Sequence, residues 1–178
     1  ENVYVGPSYT NEEIRKFLDS NKVSYEKLDE QSLLEKTAKL ISEGNIVGWY
    51  QGKMEWGPRA LGNRSILADP RDAKMKDILN EKIKHRESFR PFAPSIMEEY
   101  VSDYFDIDVP SPYMLMVTNV KQPKKIPAVT HVDGTGRLQT VSAESNPLYY
   151  NLINEFYKIT GIPVLINTSM NVMGEPIV

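Results

Sequence analysis

The sequence is organised around the stretch MEWGPRALGNRSILADPR, residues 54–71. Its second half, NRSILAD, has the apolar and β-branched character of a buried strand. The whole stretch also holds three arginines, two prolines and two glycines, a composition typical of a loop. Guanidinium groups are costly to bury, so we expect this loop to lie at the surface and to bind an anion.

Before this stretch, the sequence predicts two helices and a strand. A T-x-x-E pattern at Thr10 indicates a capped helix over about residues 11–20. An S-x-x-E pattern at Ser32 indicates a second helix, which ends near Gly44. The apolar run IVGWY, residues 46–50, then predicts a buried strand that leads directly into the arginine-rich loop.

After the stretch, helices and strands continue to intermix without an internal repeat. Asp72 is predicted to cap a helix that ends before Lys84. Further helices are predicted over residues 95–105 and from Pro147 to Gly161, and further strands over residues 113–120, after Gly136, and over residues 163–169. This mixture predicts one α/β or α+β domain around a mixed sheet.

Composition excludes several classes of protein. The chain has 178 residues, 40% of them hydrophobic and 25% charged, which suits one globular domain. No run approaches the roughly 18 apolar residues of a membrane span, and the lack of cysteine excludes disulfides and thiolate metal sites. We therefore expect a cytoplasmic domain without a metal site of its own. Both termini read as cuts from a longer chain.

Charge gives a first indication of the ligand. The net charge of −3 disfavours a general nucleic-acid-binding protein, but nine basic and five acidic side chains lie between Arg59 and Arg90. In the loop, Arg59 and Arg64 can each offer a planar fork of donors to a phosphate or carboxylate. Surface salt bridges remain an equally good interpretation of these two arginines.

The segment IKHRESFRPFAPS, residues 83–95, adds three more cations, Lys84, Arg86 and Arg90. Lys84 and Arg86 would share one face of an extended segment, so this pair is predicted to point into one pocket. The alternative is an ordinary basic helix end, which the helix dipole favours.

The segment HVDGTGRLQ, residues 131–139, allows two interpretations. His131 and Asp133 could form a metal pair, but two ligands are a weak signal, and a hydrogen-bonded turn is the better interpretation. Arg137 and Gln139 would lie on one face of a strand, where they could hold a ligand or simply form a polar sheet face.

The segment LINTSMN, residues 165–171, runs from an apolar strand into small hydrogen-bonding side chains, among them Asn167, Ser169 and Asn171. Such a cluster can close on a phosphate or form a capped turn. No G-x-S-x-G motif is present in the sequence, so we interpret Ser169 as a binding residue and not as a nucleophile.

Taken together and in this order, these segments resemble the C-terminal domain of the NodU/CmcH-type O-carbamoyltransferases. The resemblance spans nearly the whole chain and implies a YrdC-like fold, in which helices flank a twisted mixed β-sheet, with residues 1–178 as a single domain. Domains of this type carry a K-x-R pair and an S-x-N triplet, which match Lys84-His85-Arg86 and Ser169-Met170-Asn171. Met170 stands where the family usually has an aromatic residue.

The resemblance also implies an activity. The YrdC-like domain of such enzymes is understood to make carbamoyl-adenylate from carbamoyl phosphate and ATP, with Mg²⁺. A larger N-terminal Kae1-like domain, expected to be missing from this chain, then carbamoylates an acceptor hydroxyl. The negative charge of these substrates would account for the clustered cations.

The residue patterns and the resemblance together predict a site. Its expected catalytic residues are Lys84, Arg86 and Arg90, and its expected substrate-binding residues are Arg59, Arg64, Arg137, Asn167, Ser169 and Asn171. The alternative function is an RNA-binding YrdC-like module without catalytic activity. The net charge and the lack of an evident aromatic stacking platform count against that alternative.

Overall fold

The architecture is described by a computed structural model that covers residues 2–178. The strands are β1 (Val47–Tyr50), β2 (Arg64–Ala68), β3 (Ala93–Met97), β4 (Val117–Asn119), β5 (Thr135–Arg137), β6 (Gln139–Val141) and β7 (Val164–Ser169). Five of them form one sheet in the order β1–β2–β7–β3–β6, and β4 pairs with β5 separately. All neighbours in the larger sheet are antiparallel except β3 and β6. The sheet is therefore mixed, as predicted.

The helices are α1 (Asn11–Ser20), α2 (Glu30–Ser42), α3 (Lys74–Ile78), α4 (Val101–Tyr104) and α5 (Pro147–Thr160). The last turns of α3 widen into a π-helical segment, Leu79–Lys84, and short 3₁₀ turns span Glu98–Tyr100 and Pro127–Val129. Helices α2 and α5 pack against each other and against the sheet. In the part of the chain that the structure covers, no helix is both long and apolar enough to cross a bilayer.

Most predicted elements are confirmed because their end signals act as expected. The Thr10 hydroxyl and the Glu13 carboxylate form the predicted capping box of α1. Helix α5 starts after Asn146, whose side chain accepts a hydrogen bond from the Tyr149 amide. It ends at Gly161 in the left-handed conformation, with φ +71°.

The predicted cap of α2 is wrong by one turn. Asp29, and not Ser32, is the N-cap: its carboxylate accepts from the Ser32 amide at 3.0 Å and from the Ser32 hydroxyl at 2.6 Å. A carboxylate that accepts both donors is the stronger cap, so the helix begins at Glu30. The predicted end near Gly44 is confirmed, with that glycine at φ +87° just beyond the last turn.

The predicted helix over residues 95–105 is also wrong in its first part. Residues Ser95–Met97 belong to β3, which pairs with β6 on one side and β7 on the other. Helical structure starts only at the 3₁₀ turn Glu98–Tyr100 and continues in α4. A short apolar run fits either structure, and here the central position in the sheet decides for the strand.

Strand pairing brings the candidate segments to one end of the sheet. Ser65, near the start of β2, pairs with Ser169 at the end of β7. Ala93, at the start of β3, pairs with Asn167, and β6 starts at Gln139 opposite Ser95. We call this the polar end of the sheet: the starts of β2, β3 and β6 and the end of β7.

Candidate functional site

The π-helical segment and the turn after it carry the K-x-R pair. The expectation that the helix ends before Lys84 is wrong, because Lys84 is the last residue of the π-helical segment. His85 then adopts a left-handed conformation with φ +48°, which reverses the chain direction at once. Lys84 and Arg86 stay close enough for the Arg86 charge to lower the pKa of Lys84, although they do not lie on an extended segment.

Lys84 reaches from this segment to the end of β7 and contacts the S-x-N triplet. Its ammonium, in a residue only 4% exposed, donates to the backbone carbonyls of Ser169 and Asn171, to Asn171 Oδ1 at 3.0 Å and to Ser169 Oγ at 3.3 Å. All four acceptors are neutral. Burial, with the Arg86 charge as a smaller cause, lowers the pKa of Lys84 to about 8.

Arg86 is held at only one of its nitrogens. Its Nε donates to Asn80 Oδ1 at 2.7 Å, and its guanidinium lies 4.9 Å from the centre of the Phe92 ring. Neither Nη atom donates to another residue within 2–178. A shallow cavity of about 400 Å³ opens beside Arg86, lined by Glu81, His85, Arg86, Glu87 and Met173.

Arg90 lies at the margin of the same region. Its side chain is exposed, and its Nε donates to Glu87 at 2.9 Å. The charges of Arg90 and Arg86 are near enough that Arg90, after burial, contributes to lowering the pKa of Arg86. Lys84, Arg86, Arg90, Ser169 and Asn171 therefore form one cluster, which we call the Lys84 group.

Arg59 and Arg137 form a second cationic feature, which we call the arginine pair. Burial and the Arg59 charge lower the pKa of Arg137. Arg137 Nε is buried and finds no hydrogen-bond partner in the described chain. Arg59 is exposed and forms no ion pair there. Arg137 lies just before the start of β6, so the arginine pair shares the polar end of the sheet with the Lys84 group.

Arg64 has a different environment from the one expected of a substrate-binding residue. It is only 1% exposed, and its guanidinium stacks 3.5 Å from the centre of the Tyr50 ring. Its two Nη atoms donate to four backbone carbonyls at 2.7–3.2 Å, those of Gln51, Asn63, Pro7 and Gly52. The expectation that this guanidinium faces an anion is corrected: its Nη donors are used by carbonyls of the fold, which is why a core can hold it.

Asn167 is also placed beneath the surface. It is 1% exposed, and its Nδ2 lies 3.0–3.1 Å from the Ala60 carbonyl, Ser95 Oγ and Gln139 Oε1. This amide therefore ties the loop before β2 to the sheet. The sequence predicted a direct contact between Asn167 and the substrate, but the buried position of this side chain does not allow one.

Two further residues shape the same loop: Gly62, which the sequence already indicates as a turn residue, and Glu55, to which the sequence assigns no role. Glu55, 3% exposed, accepts hydrogen bonds at Oε1 from the amides of Leu61, Asn63 and Arg64. Gly62 has φ +105°, and a Cβ there would lie 2.2 Å from the Tyr149 ring. The acidic residue before W-G-P was the signal available for Glu55, but spacing alone does not show that a carboxylate is buried.

The segment after residue 130 confirms the turn interpretation of His131. Its Nδ1 lies 3.0 Å from Thr135 Oγ1, and Asp133 Oδ1 accepts from the amide and hydroxyl of the same threonine. Within residues 2–178, no three His, Cys, Asp or Glu side chains are grouped so that they could hold a metal ion.

Fold and site together define an α+β domain that presents cations at the strand ends of a mixed sheet. Residues 38–178 match the family model described as carbamoyltransferase C-terminus. The chain therefore belongs to the carbamoyltransferase C-terminal family, as the resemblance implied.

Two curated relatives are similar over almost the whole chain. Protein sll1178 of Synechocystis is 47% identical over 98% of the chain, and nodulation protein NolO of Bradyrhizobium diazoefficiens is 46% identical over 99% of it. The chain spans only 32% and 33% of the lengths of these two proteins. The relatives thus contain a much larger part with no counterpart here.

Two solved structures share the fold. Full-length HypF, solved in a phosphate- and nucleotide-bound form, has a TM-score of 0.54 and 20% identity over 87% of this chain and 19% of its own. Escherichia coli YciO has a TM-score of 0.56 and 13% identity over 84% of this chain and 68% of its own. At these identities the likeness shows the fold alone, which is YrdC-like.

Proposed function

We propose that this domain forms carbamoyl-adenylate from carbamoyl phosphate and ATP, for transfer of the carbamoyl group to an acceptor hydroxyl. The observation that carries the proposal is the Lys84 group, in which Lys84 is buried, Arg86 is half-buried, and neither forms an ion pair with a carboxylate of residues 2–178. Membership of the carbamoyltransferase C-terminal family supports the carbamoyl part of the reaction. The HypF neighbour, solved with phosphate and nucleotide, supports the nucleotide part by analogy.

The proposed reaction consumes one water molecule. Hydrolysis of carbamoyl phosphate releases orthophosphate and leaves a carbamate. A carbamate oxygen then attacks the α-phosphorus of ATP, the bond to the β-phosphate oxygen breaks, and pyrophosphate leaves. Negative charge grows on the departing pyrophosphate, so catalysis consists mostly of positioning and charge neutralisation.

Each cation has a distinct part in this proposal. Arg86 presents two unused Nη atoms, which suit bidentate contact with a phosphate. Lys84 contributes its charge from the end of β7, where Ser169 and Asn171 hold it in place. Arg90 and the arginine pair extend the positive field towards the other phosphates. Arg64 and Asn167 act only through the fold.

Mg²⁺ enters this proposal with the nucleotide. ATP phosphates commonly supply most of its non-water ligands, and one or two carboxylates complete the set. We propose Glu81 and Glu87, which line the cavity beside Arg86, as these carboxylates, although Glu87 also accepts a hydrogen bond from Arg90. When bound, the ion would add positive charge at the β- and γ-phosphates.

The rest of the proposed system lies outside this chain. We propose that residues 1–178 are one domain of a longer polypeptide whose N-terminal, Kae1-like part carries out the transfer. The relatives support this arrangement, since the chain spans about a third of their length. The cytoplasmic setting expected from the lack of cysteine belongs to the same proposal.

Calorimetric titration with ATP and Mg²⁺ tests the proposal in the full-length protein. We expect the wild type and an Arg15→Ala control to bind ATP, because Arg15 is an exposed residue of α1. Arg86→Ala is expected to bind at least about tenfold more weakly, the cost of one charge-assisted contact. A folded wild type that binds no ATP, or that instead binds RNA with steep salt dependence, would overturn it.

A further inference from the structure

Asn80 is a fully buried polar residue in the middle of the structure that presents Arg86. It lies in the π-helical segment Leu79–Lys84 and is 0% exposed. In the sequence, Asn80 is one polar residue on the polar face of a predicted helix, and nothing about its spacing indicates a special role. In the structure, the side-chain hydrogen bonds of Asn80 all join it to the turn that follows the helix.

Every polar group of the Asn80 side chain is used on this turn. Oδ1 accepts from Arg86 Nε at 2.7 Å, and Nδ2 donates to the carbonyls of Arg90 at 2.9 Å and Ser88 at 3.3 Å. The Asn80 carbonyl also accepts from the amides of His85 and Arg86. One buried residue thus holds the backbone from 85 to 90 and the side chain of its central arginine.

The contact at Nε has a particular consequence for Arg86. A hydrogen bond at this nitrogen fixes the plane of the guanidinium but leaves both Nη atoms for a ligand. The Phe92 ring, with its centre 4.9 Å from the guanidinium carbon, covers one face of the guanidinium and limits its movement. A free arginine side chain loses rotamer entropy when a ligand orders it, so an arginine that is already ordered before the ligand arrives binds that ligand more tightly.

We propose that Asn80 is a positioning residue, which fixes Arg86 so that its Nη atoms face the anionic substrate. This inference rests on the proposed function, because it needs Arg86 to contact substrate. Asn80 does not touch the substrate itself, since it is buried behind the turn.

A double-mutant cycle in the full-length protein tests this role. The measured quantity is kcat/KM for carbamoyl-phosphate-dependent pyrophosphate release from ATP, with thermal melts of every variant. We expect Asn80→Ala to lower it at least about tenfold in the wild-type background. In the Arg86→Ala background, the same change should lower it by less than about twofold, because the residue that Asn80 positions is already gone.

Asn63 provides a matched control. It is also a buried asparagine, 5% exposed, and its side chain bonds the Lys53 carbonyl and Asn146, neither of which belongs to the turn at residues 85–90. Any loss caused by Asn63→Ala should be the same factor in both backgrounds. Asn80→Asp is the second variant: it keeps the acceptor for Arg86 Nε but loses the Nδ2 donor to the carbonyls of Ser88 and Arg90. It is therefore expected to recover part of the activity that Asn80→Ala loses.

The outcomes separate the two proposals. If Arg86→Ala is as active as the wild type, the proposed function of this site fails. If Arg86→Ala is slow and Asn80→Ala costs the same factor in both backgrounds, only the positioning role fails. If Asn80→Ala melts below the assay temperature, Asn80→Asp decides: activity no better than that of Arg86→Ala, in a folded protein, overturns the role.

Discussion

Arg64 and Arg86 are both expected from the sequence to contact an anionic substrate, yet the structure uses them in opposite ways. Arg64 is buried against Tyr50 and gives both Nη atoms to carbonyls of its own fold. Arg86 gives only Nε to the fold, and both Nη atoms remain for another partner. The difference shows that the value of an arginine for ligand binding depends on which of its nitrogens the fold already uses.

The two surroundings explain why the arginines differ. The loop around Arg64 turns sharply at Gly62, so several carbonyls point inward and need donors. The turn around Arg86 has its carbonyls served by Asn80, so its arginine is not needed for that purpose. Variants that remove or change one cation at a time can therefore separate loss of the fold from loss of function.

The largest expected effect is on stability and comes from Arg64→Ala. Removing this guanidinium takes one donor from each of four carbonyls, of which only those of Asn63 and Pro7 keep a backbone donor within residues 2–178. The free energy of unfolding should therefore fall by about 3–5 kcal/mol. Urea denaturation of the variant measures it, with Arg15→Ala as the exposed control, expected to change by less than about 0.5 kcal/mol. Equal small losses in both variants would show that Arg64 is dispensable to the fold.

The next effect is on catalysis and comes from Arg86→Ala. We expect carbamoyl-phosphate-dependent pyrophosphate release to slow at least about a hundredfold, the usual cost of a lost transition-state donor. The melting temperature should fall by a few degrees at most, because the fold uses only Nε of this side chain and loses only the donor to Asn80 Oδ1. A protein that is inactive only because it unfolds would place Arg86 in the same category as Arg64.

Lys84 gives a pH-dependent prediction. Because burial lowers its pKa to about 8, its charge is lost as the pH rises through that value, and the KM for ATP should rise about tenfold from pH 7 to pH 9.5. Lys84→Arg should flatten this profile, since a guanidinium stays charged. The same steep profile in Lys84→Arg would assign the pH dependence to another group.

The pH dependence of stability distinguishes the expected loss of ATP affinity from unfolding of the domain. The folded-state pKa of Lys84 is below the unfolded value, so between about pH 8 and the ordinary lysine pKa the unfolded chain binds more protons. The contribution of this group therefore makes the fold more stable, not less, as the pH rises through that window. Thermal melts over the same pH range check that affinity is lost while the fold is retained.

The smallest expected effect comes from Arg71, the last residue of the stretch 54–71. Its side chain is 37% exposed, but it pairs with the buried Asp69 carboxylate at 2.6 Å and donates to the Ser42 carbonyl. Arg71→Ala should lower stability by about 1 kcal/mol and pyrophosphate release by less than about threefold. A larger loss of activity than of stability would add Arg71 to the site.

Sequence patterns predict the elements of this fold well where end signals are local. The Thr10 capping box, the end of α5 at Gly161 and the apolar runs of β1, β2 and β7 depend on neighbours in the chain, so reading along the chain finds them. Strand β3 was missed in part because its pairing with β6 and β7 is not local.

The residues that compose the candidate site are predictable from the sequence, but their hydrogen-bond partners are not. Clustered cations and the S-x-N triplet are visible in the sequence, and the structure joins Lys84 to Ser169 and Asn171. The roles of Arg64 and Asn167 depend on burial against distant segments, and no spacing rule reports burial of a charged or amide side chain.

The identity of the nucleotide product tests the central claim most directly. Full-length protein is incubated with ATP, Mg²⁺ and carbamoyl phosphate without acceptor, and the products are separated and weighed by mass spectrometry. The account predicts pyrophosphate, orthophosphate and an AMP that carries a carbamoyl group, all dependent on carbamoyl phosphate and strongly reduced in Arg86→Ala. Formation of ADP in place of pyrophosphate, or pyrophosphate release that does not need carbamoyl phosphate, would contradict it.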